Sequence, residues 1–302
     1  MGKIAFVFSG QGAQYPGMGQ ELCEASPAAR AVFELADGLR PGTSKQCFSG
    51  TAEELSVTKN TQPCLYCVDL AAARALEEKG VRADFAAGFS LGEAAAATFA
   101  GIFSDKAGFE FVCRRADAMQ RAAEENPGSM AAVLKLTNEK VEELCGQFTR
   151  VWPVNYNCPG QLVVAGEAGQ LKEFQELVKA AGGRAAPLAV SGGFHSPFME
   201  GAARELEEAL AVMKLGEPKV PVYANFTAAP YGGNARELLV KQVMSPVRWK
   251  ETVEALAAEG VDTFFECGPG KTLCGLIKKT VKTARTFQVQ DAETLEAALA
   301  GL

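Results

Sequence analysis

Residues 83–93, ADFAAGFSLGE, join a short apolar strand to a helix through a serine that lies between two glycines. The five residues from Gly88 to Gly92 fit the pattern G-x-S-x-G, and a strand before it with a helix after it is the context of a nucleophile elbow. Glycine on each side permits the sharp turn that lifts the Ser90 hydroxyl clear of the backbone. The same serine forms S-x-x-E with Glu93, so the alternative is that Ser90 only caps the helix. A cap does not need two flanking glycines, and the pattern therefore indicates a nucleophile.

Strands and helices alternate on both sides of this stretch. Lys3–Phe8 is predicted as a buried strand that leads into a glycine loop, and a helix is predicted at Pro63–Lys79. The longest predicted helix covers Asp105–Glu125. This order predicts a parallel sheet with helices on its faces. The alternation resumes after residue 193, where strands are predicted at residues 220–225, 261–266 and 286–290.

The pattern between residues 127 and 193 is different. Its order of strand, helix, strand, strand, helix and strand is the βαββαβ order of a ferredoxin-like unit. Turn-rich segments bound it, Asn126-Pro127-Gly128 on one side and Ser191-Gly192-Gly193 on the other. We therefore expect a discontinuous α/β domain of residues 1–126 and 194–302 that carries an inserted ferredoxin-like subdomain of residues 127–193.

Composition excludes several classes of function. The net charge of −6 would repel a phosphate backbone, so a nucleic-acid partner is not expected. Only one histidine is present, His195, which excludes metal sites that need two. Nine scattered cysteines in a chain of this length predict reduced thiols and a cytoplasmic protein. The longest apolar run, Ala94–Phe103, is about half the length that spans a bilayer, and no membrane association is expected.

His195 is the only histidine available for acid–base chemistry. It precedes Ser196 and Pro197, which are typical of a helix start, and the positive end of a helix favours a neutral imidazole. The alternative is a structural histidine in a turn. No single Asp or Glu stands out as its partner, so a Ser90–His195 dyad oriented by a backbone carbonyl and a triad with a carboxylate both remain open.

Arg115 lies on the wrong face of its predicted helix. The spacing puts Arg115 on an apolar stripe with Val112 and Met119, whereas Arg114 falls on the charged face. An inward guanidinium needs a carboxylate partner. That partner is either a structural Asp or Glu or the carboxylate of a substrate.

Eight motifs in order along the chain resemble the malonyl-CoA:acyl carrier protein transacylase family. Together they are far more specific than any one of them, and they cover essentially the whole sequence. They are Phe8-Ser9-Gly10-Gln11-Gly12, Thr61-Gln62-Pro63, Gly88-Phe89-Ser90-Leu91-Gly92-Glu93, Arg115 with Met119-Gln120, Asn155-Tyr156-Asn157-Cys158-Pro159-Gly160-Gln161, Gly193-Phe194-His195-Ser196, Gln242 before Pro246-Val247-Arg248-Trp249, and Gly268-Pro269-Gly270.

The resemblance implies a fold and a set of roles. The fold is a hydrolase-like parallel-sheet α/β domain with an inserted ferredoxin-like (βαββαβ) subdomain. The roles are Ser90 as acylated nucleophile, His195 as base, the backbone amides of Gln11 and Leu91 as oxyanion hole, Arg115 as clamp for the malonyl carboxylate, and the Gln242 carbonyl as the group that orients His195.

Two aromatic residues qualify the resemblance. Phe89 stands where many members of the family have histidine, so any contact made by that histidine is absent here. Phe194, directly before His195, is similar to the malonyl-selective members and is expected to contact the substrate.

The implied reaction is transfer of a malonyl group from malonyl-CoA to the phosphopantetheine thiol of holo-acyl carrier protein, with ping-pong kinetics, for fatty-acid synthesis. Both steps exchange thioester-level bonds, so neither a metal nor another cofactor is expected, and coenzyme A thioester is a substrate. The alternatives are a serine thioesterase with the same dyad and a trans-acting acyltransferase of a polyketide synthase.

A cluster of basic residues near the C-terminus is a candidate docking surface for the acidic carrier protein. A solvated helix face is the equally plausible alternative. The cluster consists of Lys271, Lys278, Lys279, Lys282 and Arg285.

Overall fold

The strand that leads to Ser90 lies inside a five-stranded, all-parallel sheet. The computed structural model describes residues 2–190 and 192–302. The strands in chain order are β1 (Lys3–Phe8), β2 (Phe85–Gly88), β3 (Ser129–Leu134), β4 (Val151–Cys158), β5 (Gln161–Gly166), β6 (Arg184–Pro187), β7 (Val222–Tyr223), β8 (Val261–Cys267) and β9 (Arg285–Val289). The parallel sheet has the order β7-β2-β1-β8-β9. The carboxyl ends of β1 and β2 therefore lie side by side, with Phe8 opposite Gly88.

Helices cover the sheet because their apolar faces need burial. Two helices of 21 residues, α5 and α7, pack against each other. The helices are α1 (Gln20–Ala25), α2 (Pro27–Leu39), α3 (Thr43–Ser49), α4 (Ala52–Ser56), α5 (Thr58–Glu78), α6 (Gly92–Phe99), α7 (Asp105–Glu125), α8 (Asn138–Cys145), α9 (Ala168–Ala180), α10 (Glu200–Ala211), α11 (Ala235–Gln242), α12 (Trp249–Ala258), α13 (Thr272–Thr280) and α14 (Ala292–Ala300).

The second sheet is antiparallel and has the order β4-β5-β3-β6. Its elements follow one another as β3, α8, β4, β5, α9 and β6, which is the predicted βαββαβ order. Val133, Val164 and Phe174 belong to a separate apolar cluster between this sheet and its two helices. The predicted fold class, a parallel α/β unit with a ferredoxin-like second unit, is confirmed.

Two predicted elements differ from the structure. The helix expected to start at Pro63 begins five residues earlier at Thr58, although proline lacks an N–H for the helical bond to Lys59. Almost every residue from Thr61 to Leu76 is buried, and this packing outweighs the lost hydrogen bond. The strand expected at residues 220–225 pairs only over Val222–Tyr223. Helices α3 and α4 were not predicted.

Candidate active site

Ser90 lies in a strained turn between β2 and α6. Its φ is +53°, a left-handed conformation that is unfavourable for any residue with a side chain. The flanking glycines make this turn possible, because a Cβ atom on Gly88 would lie 1.9 Å from the carbonyl carbon of Gly92. A Cβ atom on Gly92 would lie 2.2 Å from the carbonyl oxygen of Phe8. The close contact of strand, turn and helix therefore excludes other residues at both positions.

The capping alternative for Ser90 is wrong. Helix α6 begins at Gly92, its N-cap is Leu91, and no side chain caps it. The Ser90 Oγ lies 2.7 Å from Nε2 of His195 instead. The Glu93 carboxylate accepts a hydrogen bond from the backbone N–H of Asn225 at 2.9 Å and another from the Tyr231 hydroxyl.

His195 is buried and its second ring nitrogen has a defined partner. Nδ1 lies 2.9 Å from the backbone carbonyl oxygen of Gln242, so Nδ1 carries the proton and Nε2 is free to accept from Ser90. Burial and, second, the charge of Arg115 lower the pKa of His195 to about 4. The imidazole is therefore neutral at physiological pH. The partner is a carbonyl oxygen and not a carboxylate, which decides between the two arrangements that the sequence left open.

The sequence indicated that the helix start beside His195 keeps the imidazole neutral. The structure shows that this helix start is not the main cause. Ser196 caps a single 3₁₀ turn, Pro197–Met199, before α10 begins at Glu200. Removal of the ring from water and the nearby guanidinium both disfavour a second positive charge.

Arg115 points into the same site and is almost fully buried, with 2% of its surface exposed. Its Nη1 donates to Oε1 of Gln62 at 2.7 Å, and its Nη2 donates to Oε1 of Gln242 at 2.9 Å. The same Nη2 lies 3.5 Å from the Ser90 Oγ. Within residues 2–190 and 192–302, no carboxylate oxygen forms an ion pair with this guanidinium.

The charge of Arg115 is therefore held by neutral amides. Burial lowers the pKa of Arg115 to about 10, against an opposing effect of the Glu93 charge, so the guanidinium stays protonated at neutral pH. Its apolar stripe is also as predicted, since Val112 and Met119 are buried and Arg114 is exposed.

Two backbone amides just beyond the carboxyl ends of β1 and β2 have no acceptor among the described residues. They belong to Gln11, in the turn after β1, and to Leu91, at the start of α6. The Gln11 side chain donates to the Thr58 hydroxyl at 3.2 Å, which holds this turn against α5. Phe194 is buried directly before His195. The structure thus brings all seven predicted site residues to the carboxyl ends of β1 and β2 or to segments that contact them.

Sequence reasoning missed two residues of this site. Gln62 has no role in the prediction beyond a family motif, yet its amide oxygen accepts from Arg115. Asn225 bonds to the backbone on both sides of Phe89 and has no local signal in the sequence. Both residues act on partners more than 50 positions away, and a helical or strand period cannot reveal such contacts.

The comparisons with known proteins identify the family. Residues 5–301 match the family model described as an acyl transferase domain. The chain is 42% identical to the malonyl CoA-acyl carrier protein transacylase of Bacillus subtilis (strain 168), over 99% of this chain and 97% of that protein. The chain belongs to the malonyl CoA-acyl carrier protein transacylase family. The Escherichia coli (strain K12) member is 36% identical over 99% of each chain.

Solved structures of transacylases have the same fold. The malonyl CoA-acyl carrier protein transacylase of Clostridium perfringens superposes with a TM-score of 0.96 at 36% identity, over 99% of this chain and 96% of that one. A malonyl-transacylase in complex with its type II PKS acyl-carrier protein superposes with a TM-score of 0.95 at 37% identity, over 99% and 100% of the two chains.

The described residues lack both a helix suited to crossing a membrane and a cluster of metal-binding side chains. No helix within residues 2–190 and 192–302 is both long and apolar enough to cross a membrane. In the same part of the chain, no three His, Cys, Asp or Glu side chains lie close enough together to hold a metal ion.

Proposed function

We propose that this protein is an acyl-carrier-protein S-malonyltransferase, which moves a malonyl group from malonyl-CoA to the phosphopantetheine thiol of holo-acyl carrier protein. The observation that carries the proposal is the buried Arg115 guanidinium, which lies 3.5 Å from the Ser90 Oγ and forms no ion pair with a carboxylate of residues 2–190 and 192–302. A buried cation without a counter-ion is costly unless a substrate supplies the counter-ion. The free carboxylate of a malonyl thioester supplies it beside the nucleophile.

In the first half-reaction, Nε2 of His195 takes the proton from Ser90 while the Ser90 Oγ attacks the thioester carbonyl carbon. The carbonyl oxygen becomes an oxyanion, and the free N–H groups of Gln11 and Leu91 are the donors that stabilise it. Collapse of the intermediate breaks the carbon–sulfur bond. The departing coenzyme A thiolate takes the proton from His195, which leaves malonyl esterified to the serine.

The second half-reaction repeats these steps in reverse with a different thiol. The phosphopantetheine thiol of the carrier gives its proton to His195, and its sulfur attacks the ester carbonyl carbon. Ser90 leaves and recovers the proton. Each step uses side chains and backbone amides of this chain, so the proposed mechanism requires no metal and no further cofactor.

The remaining roles follow from position. Gln242 orients His195 through its carbonyl oxygen, and Phe194 forms part of the wall against which the acyl group lies. We place the reaction in fatty-acid synthesis and in the cytoplasm, where the nine free cysteines stay reduced. Residues 1–126 and 194–302 form the catalytic domain, and residues 127–193 form the inserted subdomain that carries the antiparallel sheet.

The test is intact-protein mass spectrometry after brief exposure to malonyl-CoA. A malonyl adduct is expected on the wild-type protein, absent from Ser90→Ala, and removed by holo-acyl carrier protein with formation of malonyl-carrier. An adduct that persists in Ser90→Ala contradicts the nucleophile. Loss of the adduct to water at the same rate with and without the carrier would instead indicate a thioesterase.

A further inference from the structure

Asn225 follows the short strand β7 by two residues and is 1% exposed. All four of its hydrogen-bonding groups have partners. The backbone N–H donates to Oε2 of Glu93 at 2.9 Å, and the backbone carbonyl accepts from Arg248 N–H at 2.9 Å. The side-chain Nδ2 donates to the carbonyl of Gly88 at 2.5 Å, and Oδ1 accepts from the N–H of Ser90 at 2.8 Å.

These two side-chain bonds continue the ladder of a parallel sheet. Strand β7 pairs with β2 so that Val222 lies opposite Ala86 and Tyr223 opposite Ala87. In the same register, residue 225 would lie opposite residue 89 and would bond the carbonyl before it and the N–H after it. The amide side chain of Asn225 makes both of these bonds, while its backbone is engaged elsewhere. The side chain of Asn225 therefore extends the hydrogen-bond ladder between β2 and β7 as far as the turn that carries Ser90.

The other side of Ser90 is also held by a side-chain amide. Nε2 of Gln242 donates to the Ser90 carbonyl at 2.5 Å and to Oδ1 of Asn225 at 3.2 Å. The N–H and the carbonyl of Ser90 are thus fixed from two directions. A residue at φ +53° keeps this conformation only when its surroundings impose it.

The backbone of Asn225 is itself fixed by a buried carboxylate, that of Glu93. Glu93 accepts its backbone N–H, and the Tyr231 hydroxyl donates to the other carboxylate oxygen of Glu93. Burial raises the pKa of Glu93 to about 7, against the opposing effect of these hydrogen bonds. Tyr231, Glu93 and Asn225 therefore form a buried series of hydrogen bonds that ends at the Ser90 N–H.

We propose that Asn225 is a positioning residue that holds Ser90 in the reactive geometry by continuing the β2–β7 ladder with its side chain. The inference rests on the proposed function only in taking Ser90 as the acylated residue. It assigns Asn225 no contact with the substrate.

The first experiment compares wild type, Asn225→Ala and the exposed control Asn234→Ala. Pre-steady-state acylation by malonyl-CoA should slow about 100-fold in Asn225→Ala, the size of effect expected for a misplaced reacting group. The malonyl-CoA concentration at half saturation should change less than about twofold, because Arg115 and Gln62 keep their contacts. Asn234→Ala should behave as wild type. Wild-type acylation rates in Asn225→Ala would overturn the proposal.

A second probe separates this inference from the proposed function. Inactivation by phenylmethanesulfonyl fluoride measures the reactivity of Ser90 without any acyl-CoA, and it should slow in Asn225→Ala by a similar factor. If wild type reacts with this probe and not with malonyl-CoA, while Asn225→Ala reacts more slowly with the probe, the proposed function fails and the positioning role stands. If Asn225→Ala reacts with both as wild type does, the positioning role fails alone.

Asn225→Asp keeps the test open if the alanine variant does not fold. An ionised carboxyl at this position accepts from the Ser90 N–H but repels the Gly88 carbonyl, whereas a protonated carboxyl donates to it. Burial raises the pKa of a carboxyl above its ordinary value of about 4, so the protonated form gains population as the pH falls. The ratio of variant to wild-type acylation rate should therefore rise severalfold between about pH 8 and about pH 5.5. The titratable and charged groups around this position are Glu93, Arg115, His195 and Tyr231, and the ratio cancels the part of their effect that wild type and variant share. A ratio that does not change with pH would overturn the ladder role.

Discussion

Replacing Arg115 with alanine tests whether the buried guanidinium selects a dicarboxylic acyl group. Arg115 is 2% exposed, and its two terminal nitrogens are fixed by Gln62 and Gln242 at 2.7 and 2.9 Å. A cation that is already desolvated and oriented gains most of the energy of pairing when the malonyl carboxylate arrives. Removing one partner of a buried charge pair costs roughly 2–5 kcal/mol. Since each 1.4 kcal/mol is about tenfold in rate, malonyl acylation should slow between about 30-fold and about 5,000-fold.

The assay measures acyl-enzyme formation from malonyl-CoA and from acetyl-CoA under the same conditions. The alanine variant also leaves two amide oxygens without their donor, and the acetyl rate reports that general damage because acetyl has no carboxylate. Malonyl transfer should therefore fall far more than acetyl transfer. Arg115→Lys should restore little, because one ammonium cannot replace a planar fork with two fixed partners.

Arg114→Ala is the matched control, since Arg114 is the next residue of α7 and is exposed. It should leave both rates unchanged. Equal losses for malonyl and acetyl donors in Arg115→Ala would refute the reasoning and would make Arg115 a structural residue of the core.

Three further predictions concern the base, the docking surface and the turn. Because the pKa of His195 is lowered to about 4, the base stays neutral down to about that pH. The acylation rate should therefore be constant from about pH 7 to about pH 5 and should fall below about pH 5. A rate that already halves near about pH 6.5 would show that His195 titrates as an ordinary imidazole. Lys278 and Lys279 are exposed in the last turn of α13. Their joint replacement by glutamate should raise KM for carrier protein without slowing acylation by malonyl-CoA. Unchanged carrier kinetics would mean that these lysines form a solvated helix face and not a docking surface. Gly92→Ala places a methyl group 2.2 Å from the Phe8 carbonyl oxygen, so circular dichroism melts and acylation assays should show a protein that is destabilised, inactive or both; wild-type behaviour would contradict the close packing of the turn.

The sequence predicted the parts of this molecule that depend on local patterns. Helix α7 occupies the predicted range Asp105–Glu125, and the buried position of Arg115 follows from a 3.6-residue period alone. The βαββαβ order of the second sheet is likewise visible in alternating runs of apolar residues.

The parts that it did not predict depend on contacts between distant segments. Gln62 and Asn225 come from α5 and from the segment after β7, and only the folded chain brings their side-chain amides to Arg115 and Ser90. For Gln242 the carbonyl contact with His195 was predicted, but the contact of its side chain with Arg115 was not. The cause of the neutral His195 was also misjudged, because burial in a finished core cannot be read from the residues next to it. Local propensity misplaced the start of α5 at Pro63 for the same reason, since tertiary packing decided that boundary.

The single histidine of this chain gives the protein a built-in spectroscopic reporter. Every imidazole resonance in a nitrogen-15 NMR spectrum belongs to His195, so no assignment by mutagenesis is needed. The chemical shifts of the two ring nitrogens distinguish the tautomers, and the Nδ1–H that donates to Gln242 should give one downfield proton signal. The protonation state of the base can therefore be followed in the free enzyme, in the acyl-enzyme and during titration, on the unmodified protein.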